Sequence, residues 1–157
     1  MSASPILPAP LVEVLATFDG VDRGLRAELL IEYADAFTPV ADAVATRPYP
    51  ETARAPRCES EAFVFATDRS DGTFDLHFAV ENPQGLSAKA WAVILDETLS
   101  GQPLEQVVQV PQDLVFQVFG RDLSMGKGQG LLGMLEVVQH EARRRLDARR
   151  REAAGLA

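Results

Sequence analysis

An α+β fold, in which helices pack on a small antiparallel sheet, is predicted by three features of the chain. Apolar residues recur at helical spacing toward both ends, the hydrophobic period drops to two over residues 62–80, and "DRSDG" splits that alternating stretch into two strands. The 157 residues are 46% hydrophobic, which suits one domain over 1–157 with a sizeable core and excludes general disorder.

Pro10 opens a short helix in which Leu11, Val14, Leu15 and Phe18 share a face. After Asp19-Gly20 a second helix is expected, with Leu25, Leu29, Tyr33 and Phe37 as its i, i+4 stripe and Pro39 as its limit. The two read as a helical hairpin. From Pro39 to Pro56, both included, four prolines disfavour both a continuous helix and a central strand, so this stretch reads as a long, ordered connection.

The strands follow. Phe63 and Phe65 alternate with Ala62, Val64 and Ala66, and Phe74, Leu76, Phe78 and Val80 alternate with Thr73, Asp75 and His77. This predicts a β-hairpin with one buried face, which needs further strands or a helix to cover it. "ENPQG" turns the chain into a helix beginning near Ser87, with Trp91, Ile94, Leu95 and Leu99 in the core and Gly101 placed to cap its end.

Two shorter helical pieces are marked off by Pro103, Pro111 and Gly120, the second carrying Leu114, Val115, Val118 and Phe119. The glycines of "LSMGKGQGLLGML" read as a flexible entry to a terminal helix whose apolar face is Leu131, Met134, Leu135, Val138, Ala142 and Leu146. From about residue 141 this helix becomes a basic tail whose arginines are expected to extend into solvent.

Charge and composition narrow the chemistry. The net charge of -8 argues against a general affinity for nucleic acid, and the six arginines of residues 141–152 form a basic end on an acidic body, without interleaved aromatics. No segment approaches eighteen uninterrupted apolar residues, and "MSASPILPAP" lacks the basic head and apolar run of a secretory signal, so a cytoplasmic protein without a membrane span is expected. "MGKGQG" invites a phosphate-loop reading, but Arg121 and Gly128 stand where that loop needs Gly and Ser or Thr. His77 falls on the polar side of its strand and His140 among charged helix positions, and both read as exposed side chains. With these two and one cysteine, neither a metal site nor a bound cofactor is expected.

That cysteine is Cys58, in "ARAPRCESEAFVFATD". Free cysteine often packs as a small buried hydrophobe. Pro56, Arg57, Glu59 and Ser60 instead suggest a loop tip just before the first strand, from which a thiol reaches a partner. Arg54 and Arg57 favour a thiolate there, while Glu59 and Glu61 oppose it.

At "CESEAFVF" the chain resembles the SufE family of sulfur-acceptor proteins, whose hallmark is a Cys-x-Ser loop leading directly into an apolar strand. The likeness extends through the hairpin, "SAKAWAVIL", "LSGQPLEQVVQVP" and "LSMGKGQGLLGML". Arg57 stands where the family often has Gly, Glu59 and Glu61 where it often has Gln, Ala90 follows Lys89 where Gly usually does, and Lys127 stands for a common Arg.

The resemblance implies the fold shared by SufE and IscU-type scaffolds. It also implies that Cys58 takes persulfide sulfur from a pyridoxal-phosphate-dependent (SufS-like) cysteine desulfurase and passes it to iron–sulfur cluster assembly, through a SufBCD-like scaffold complex. Arg57, Glu59, Ser60 and Lys127 would then contact the partner, and the protein would be an accessory acceptor, monomeric or homodimeric. A lone cysteine suits such a carrier, because a second thiol nearby could release the carried sulfur as sulfide. The alternative within the same fold is a regulatory module that binds the desulfurase without carrying sulfur. A cluster scaffold would need several further ligands.

Overall fold

In the computed structural model, which describes residues 5–155, the order is α1 (Ala9–Phe18), α2 (Arg23–Asp35), a 3-10 turn at Glu51–Ala53, β1 (Ala62–Asp68), β2 (Phe74–Val80), α3 (Leu86–Leu99), α4 (Leu104–Val107), α5 (Leu114–Phe119) and α6 (Met125–Ala153). The α+β architecture agrees with the sequence expectation. Residues 1–4 and 156–157 of the expected domain lie outside the described residues.

Helix α3 is the hub, since α1, α2, β2 and α6 all pack against it. Its end is marked by Gly101, whose N–H donates to the Phe74 carbonyl at 2.8 Å. Trp91, buried on this helix, donates from Nε1 to the Leu131 carbonyl at 3.0 Å, which fixes the height of α6 on the core. The first two helices lean on α3 rather than forming a free-standing hairpin. Phe18 and Tyr33 stack where they meet, with ring centroids 6.2 Å apart. Asp22 caps α2 by accepting from the Leu25 N–H at 2.8 Å. Leu25 itself, grouped with the apolar stripe by spacing, sits in the first turn of α2 and is 45% exposed.

The two strands pair antiparallel, with Val64 opposite Phe78 and Ala66 opposite Leu76. The single buried face expected from the sequence is corrected to two. Ala62, Val64, Phe74, Leu76 and Phe78 join the main core beneath α3 and α6. On the opposite face Phe63 and Ala79 form a second cluster with Val40 and Ala53, and Phe65 packs beside them. The proline-rich connection makes this cover: Val40 donates from its N–H to Phe78 O at 2.8 Å, and Tyr49 lays its ring 5.2 Å from Phe63 and 5.6 Å from Phe65.

Two further expectations are corrected at α6. Its glycines do not form a flexible entry, because the helix starts at Met125 with the Ser124 hydroxyl accepting from the Lys127 N–H. Nor do all its arginines extend into solvent. Arg145, whose side chain is 12% exposed, donates to Asp68 Oδ1 at 2.6 Å and to Ala66 O at 3.3 Å and lies over the Phe74 ring, while Arg149 donates to Gly72 O in the hairpin turn. The helix runs along β1, so long cationic side chains there reach strand-end carbonyls while their stems cover apolar surface. Deeper in the helix, buried Gln139 donates to the carbonyls of Val107 and Val110 at 3.2 and 2.8 Å and ties the α4 segment down.

Arg145→Ala is therefore expected to lower unfolding stability by about 1–3 kcal/mol. Arg151→Ala, in the exposed last turn, should stay within about 0.5 kcal/mol of wild type. Urea titration of both variants checks the difference.

Candidate functional site: the Cys58 loop

The cysteine loop is closed at its base by backbone hydrogen bonds on two sides. Arg54 bridges to Phe63, and the Ala55 N–H donates to Ala62 O at 2.8 Å. On the other side Glu81 and Asn82 donate to the carbonyls of Glu61 and Ser60, both at 3.1 Å. Residues 56–61 thus form a short excursion from the end of the β-ladder, turned by Arg57 at φ 58° and Glu61 at φ 53°. Both lie in the left-handed region, which costs a residue with a Cβ about 1–2 kcal/mol. Arg57 occupies the position where glycine would be free of that cost.

The base is braced further by the proline-rich connection. Arg47 donates to both carboxylate oxygens of Glu81, at 2.7 and 2.9 Å, and this hydrogen bonding holds the Glu81 carboxyl below the usual carboxylate range.

Above its base the loop lies directly on the backbone of α6. A Cβ at Gly130 would fall 3.1 Å from Cys58 Cα, and one at Gly133 only 2.2 Å from Pro56 O. Glycines one turn apart on the same helix face therefore make the seat of the loop, at the expense of helix propensity. This close approach is the physical reason for glycine at these two helical positions. One turn further on, Glu136 Oε1 accepts from Arg57 Nη2 at 2.8 Å.

Seated this way, Cys58 is 7% exposed and forms part of the main core cluster, although it belongs to a loop. The thiol is thus a buried one carried on a loop. Two open clefts adjoin it. One, of about 400 Å³, brings Cys58, Glu59 and Ser60 together with Lys127 and exposed Leu86. The other, of about 590 Å³, lies between Arg54, Arg57, Glu59 and Gln129. Met125, 79% exposed, adjoins Gly126, which lines both.

Of the residues singled out from sequence, Glu59, Ser60 and Lys127 gather around one cleft with the thiol. Arg57 lines the other cleft and is engaged within the chain. His77 contacts Thr67 at 2.9 Å on the hairpin and takes no part in either cleft. Gly130, Gly133 and Glu136 were not legible as site residues, although two glycines at i, i+3 inside an otherwise regular helical pattern are a signal for close backbone approach. Among the described residues no group of three His, Cys, Asp or Glu side chains converges to hold a metal ion. No helix among them is long and apolar enough to cross a membrane.

The family model described as "SufE: Fe-S metabolism associated domain" matches residues 12–142. The chain belongs to the SufE family. Two curated relatives, each described as an uncharacterized SufE-like protein from a strain of Mycobacterium tuberculosis, are 30% identical over 115 residues, covering 72% of this chain and 76% of theirs. The solution structure of a hypothetical protein from Thermus thermophilus superposes with a TM-score of 0.69 at 28% identity, covering 90% of this chain and 99% of that one. The SufE assignment ties the protein to iron–sulfur metabolism.

The seat itself is testable. Gly133→Ala should destabilise the fold by about 1–3 kcal/mol and speed Cys58 alkylation, because the added methyl displaces the Pro56 carbonyl. Gly126→Ala meets nothing within 4 Å and should gain up to about 1 kcal/mol of helix propensity with alkylation unchanged. Denaturant midpoints and iodoacetamide rates measured on the pair check both expectations.

Proposed function

We propose that the protein is a sulfur acceptor, taking persulfide sulfur onto Cys58 from a pyridoxal-phosphate-dependent, SufS-like cysteine desulfurase. It then passes the sulfur to iron–sulfur cluster assembly, with a SufBCD-like scaffold complex as the receiving partner. The observation that carries this reading is the placement of the chain's only thiol, at the tip of a braced loop between two open clefts.

In the transfer the Cys58 thiolate attacks the terminal sulfur of the donor's persulfide. A new S–S bond forms to Cys58, the donor's S–S bond breaks, and the donor cysteine departs as a thiolate. The proton on the terminal sulfur travels with it, so no external oxidant or reductant is needed. Delivery repeats the same exchange with Cys58 as donor. Because no second cysteine exists in the chain, the carried sulfur has no internal thiol to attack it.

The surroundings fit roles for the partner-facing residues. Lys127 and Glu59 would set the charge that a docking partner meets at the smaller cleft, and Leu86 would offer apolar area there. Ser60 holds the loop's base through its carbonyl. Arg57 faces the larger cleft. The protein in this reading is an accessory component that restores the desulfurase for its next turnover, and it acts in the cytoplasm.

The near-complete burial of Cys58 favours a second reading, a module that binds the desulfurase and regulates it without carrying sulfur. The readings part on one variant. Cys58→Ser preserves volume and removes the soft nucleophile. On the acceptor reading it binds the desulfurase as wild type does yet abolishes the stimulation of cysteine turnover. A regulatory module would stimulate equally with serine at this position.

A further inference from the structure

We infer that Arg57 and Glu136 form a latch that holds the Cys58 loop shut, and that this pair sets how often the thiol reaches solvent. Its bearing on sulfur transfer rests on the function proposed above; the latch itself does not.

Three observations converge on it. The pair is the ionic contact between the loop and the helix that seats it, at 2.8 Å, and it spans 79 residues of sequence. Beneath it α6 presents only bare backbone at Gly130 and Gly133, against which the loop lays Cys58 and Pro56, so no side chain of the helix at these two positions grips the loop. Arg57 also holds a left-handed backbone that its Cβ disfavours, so the closed loop carries a conformational cost that opening relieves. Burial of Cys58 offsets part of that cost, and the guanidinium on Glu136 adds a contact that opening would break.

The two side chains are 49% and 37% exposed. A pair so exposed is modest in strength and screened by salt. These are useful properties in a latch, because a partner supplying charge at the adjoining cleft can compete with it. Glu136 is accordingly a positioning residue: it acts on Cys58 through Arg57 and the loop.

The test uses the full-length protein and iodoacetamide, with the Cys58 alkylation rate followed against pH and against sodium chloride. When opening and reclosing are fast, this rate tracks the open population. Glu136→Gln should raise the high-pH plateau about two- to five-fold at low salt, the range expected for an exposed pair. Wild type should accelerate with salt toward that variant, whose own rate should stay flat. The exchanged pair R57E/E136R should return to a slow, salt-sensitive rate.

A shift of the pH midpoint with an unchanged plateau would mean that Glu136 acts only on ionisation, and would overturn the latch. So would a salt-insensitive wild type, a result that needs no variant and is untouched by any folding defect. Stimulation of desulfurase turnover by wild type, measured alongside, bears on the acceptor role alone. Its absence together with a working latch would sink the function and leave the inference standing.

Discussion

The Cys58 site depends on one steric constraint: the loop must lie against the backbone of α6, and only a helix face without side chains permits it. With a methyl group 2.2 Å from the Pro56 carbonyl the present geometry could not exist. Everything that positions α6 therefore positions the thiol. Trp91 sets the helix's height through the Leu131 carbonyl, which immediately follows Gly130. Gln139 fastens its middle to the α4 segment, and Arg145 fastens its far half to the end of β1. These contacts lie on one continuous helix.

The loop's other boundary is the β-ladder, and here the proline-rich connection has a structural task. Its four prolines limit regular hydrogen bonding within the segment, which leaves it free to wrap the outer face of the hairpin with Tyr49 and Val40. The same segment delivers Arg47 to Glu81 at the loop's base. Cys58 is thus held between a rigid floor, the helix, and a rigid wall, the hairpin end. Between them runs the short span from Pro56 to Glu61, with its two left-handed residues. Its thiol is sheltered by that packing.

How much of this was legible in the sequence depended on the range of the interactions. The alternation of Phe74, Leu76 and Phe78 located β2, and "CESEAFVF" located the loop immediately ahead of β1, because both signals are local. The helix through Trp91 was also local, and it begins one residue before the expected Ser87. Cover over Phe63 and Phe65 was missed because Tyr49 approaches them through tertiary packing, which strand periodicity does not encode. The glycines after Ser124 have poor helix propensity, so they read as flexible; that Gly130 and Gly133 pack against Cys58 and Pro56 is a tertiary contact the local pattern does not encode. Glu136 looked like any charged residue on a helix surface, since its partner lies in a loop 79 residues earlier.

Whether Cys58 carries sulfur is read from intact-protein mass spectrometry after incubation with a cysteine desulfurase and free cysteine. A single added sulfur atom is expected, mapping to the peptide that contains Cys58 and lost on treatment with a thiol reductant. An unchanged mass under conditions where the desulfurase binds the protein and turns over would contradict it.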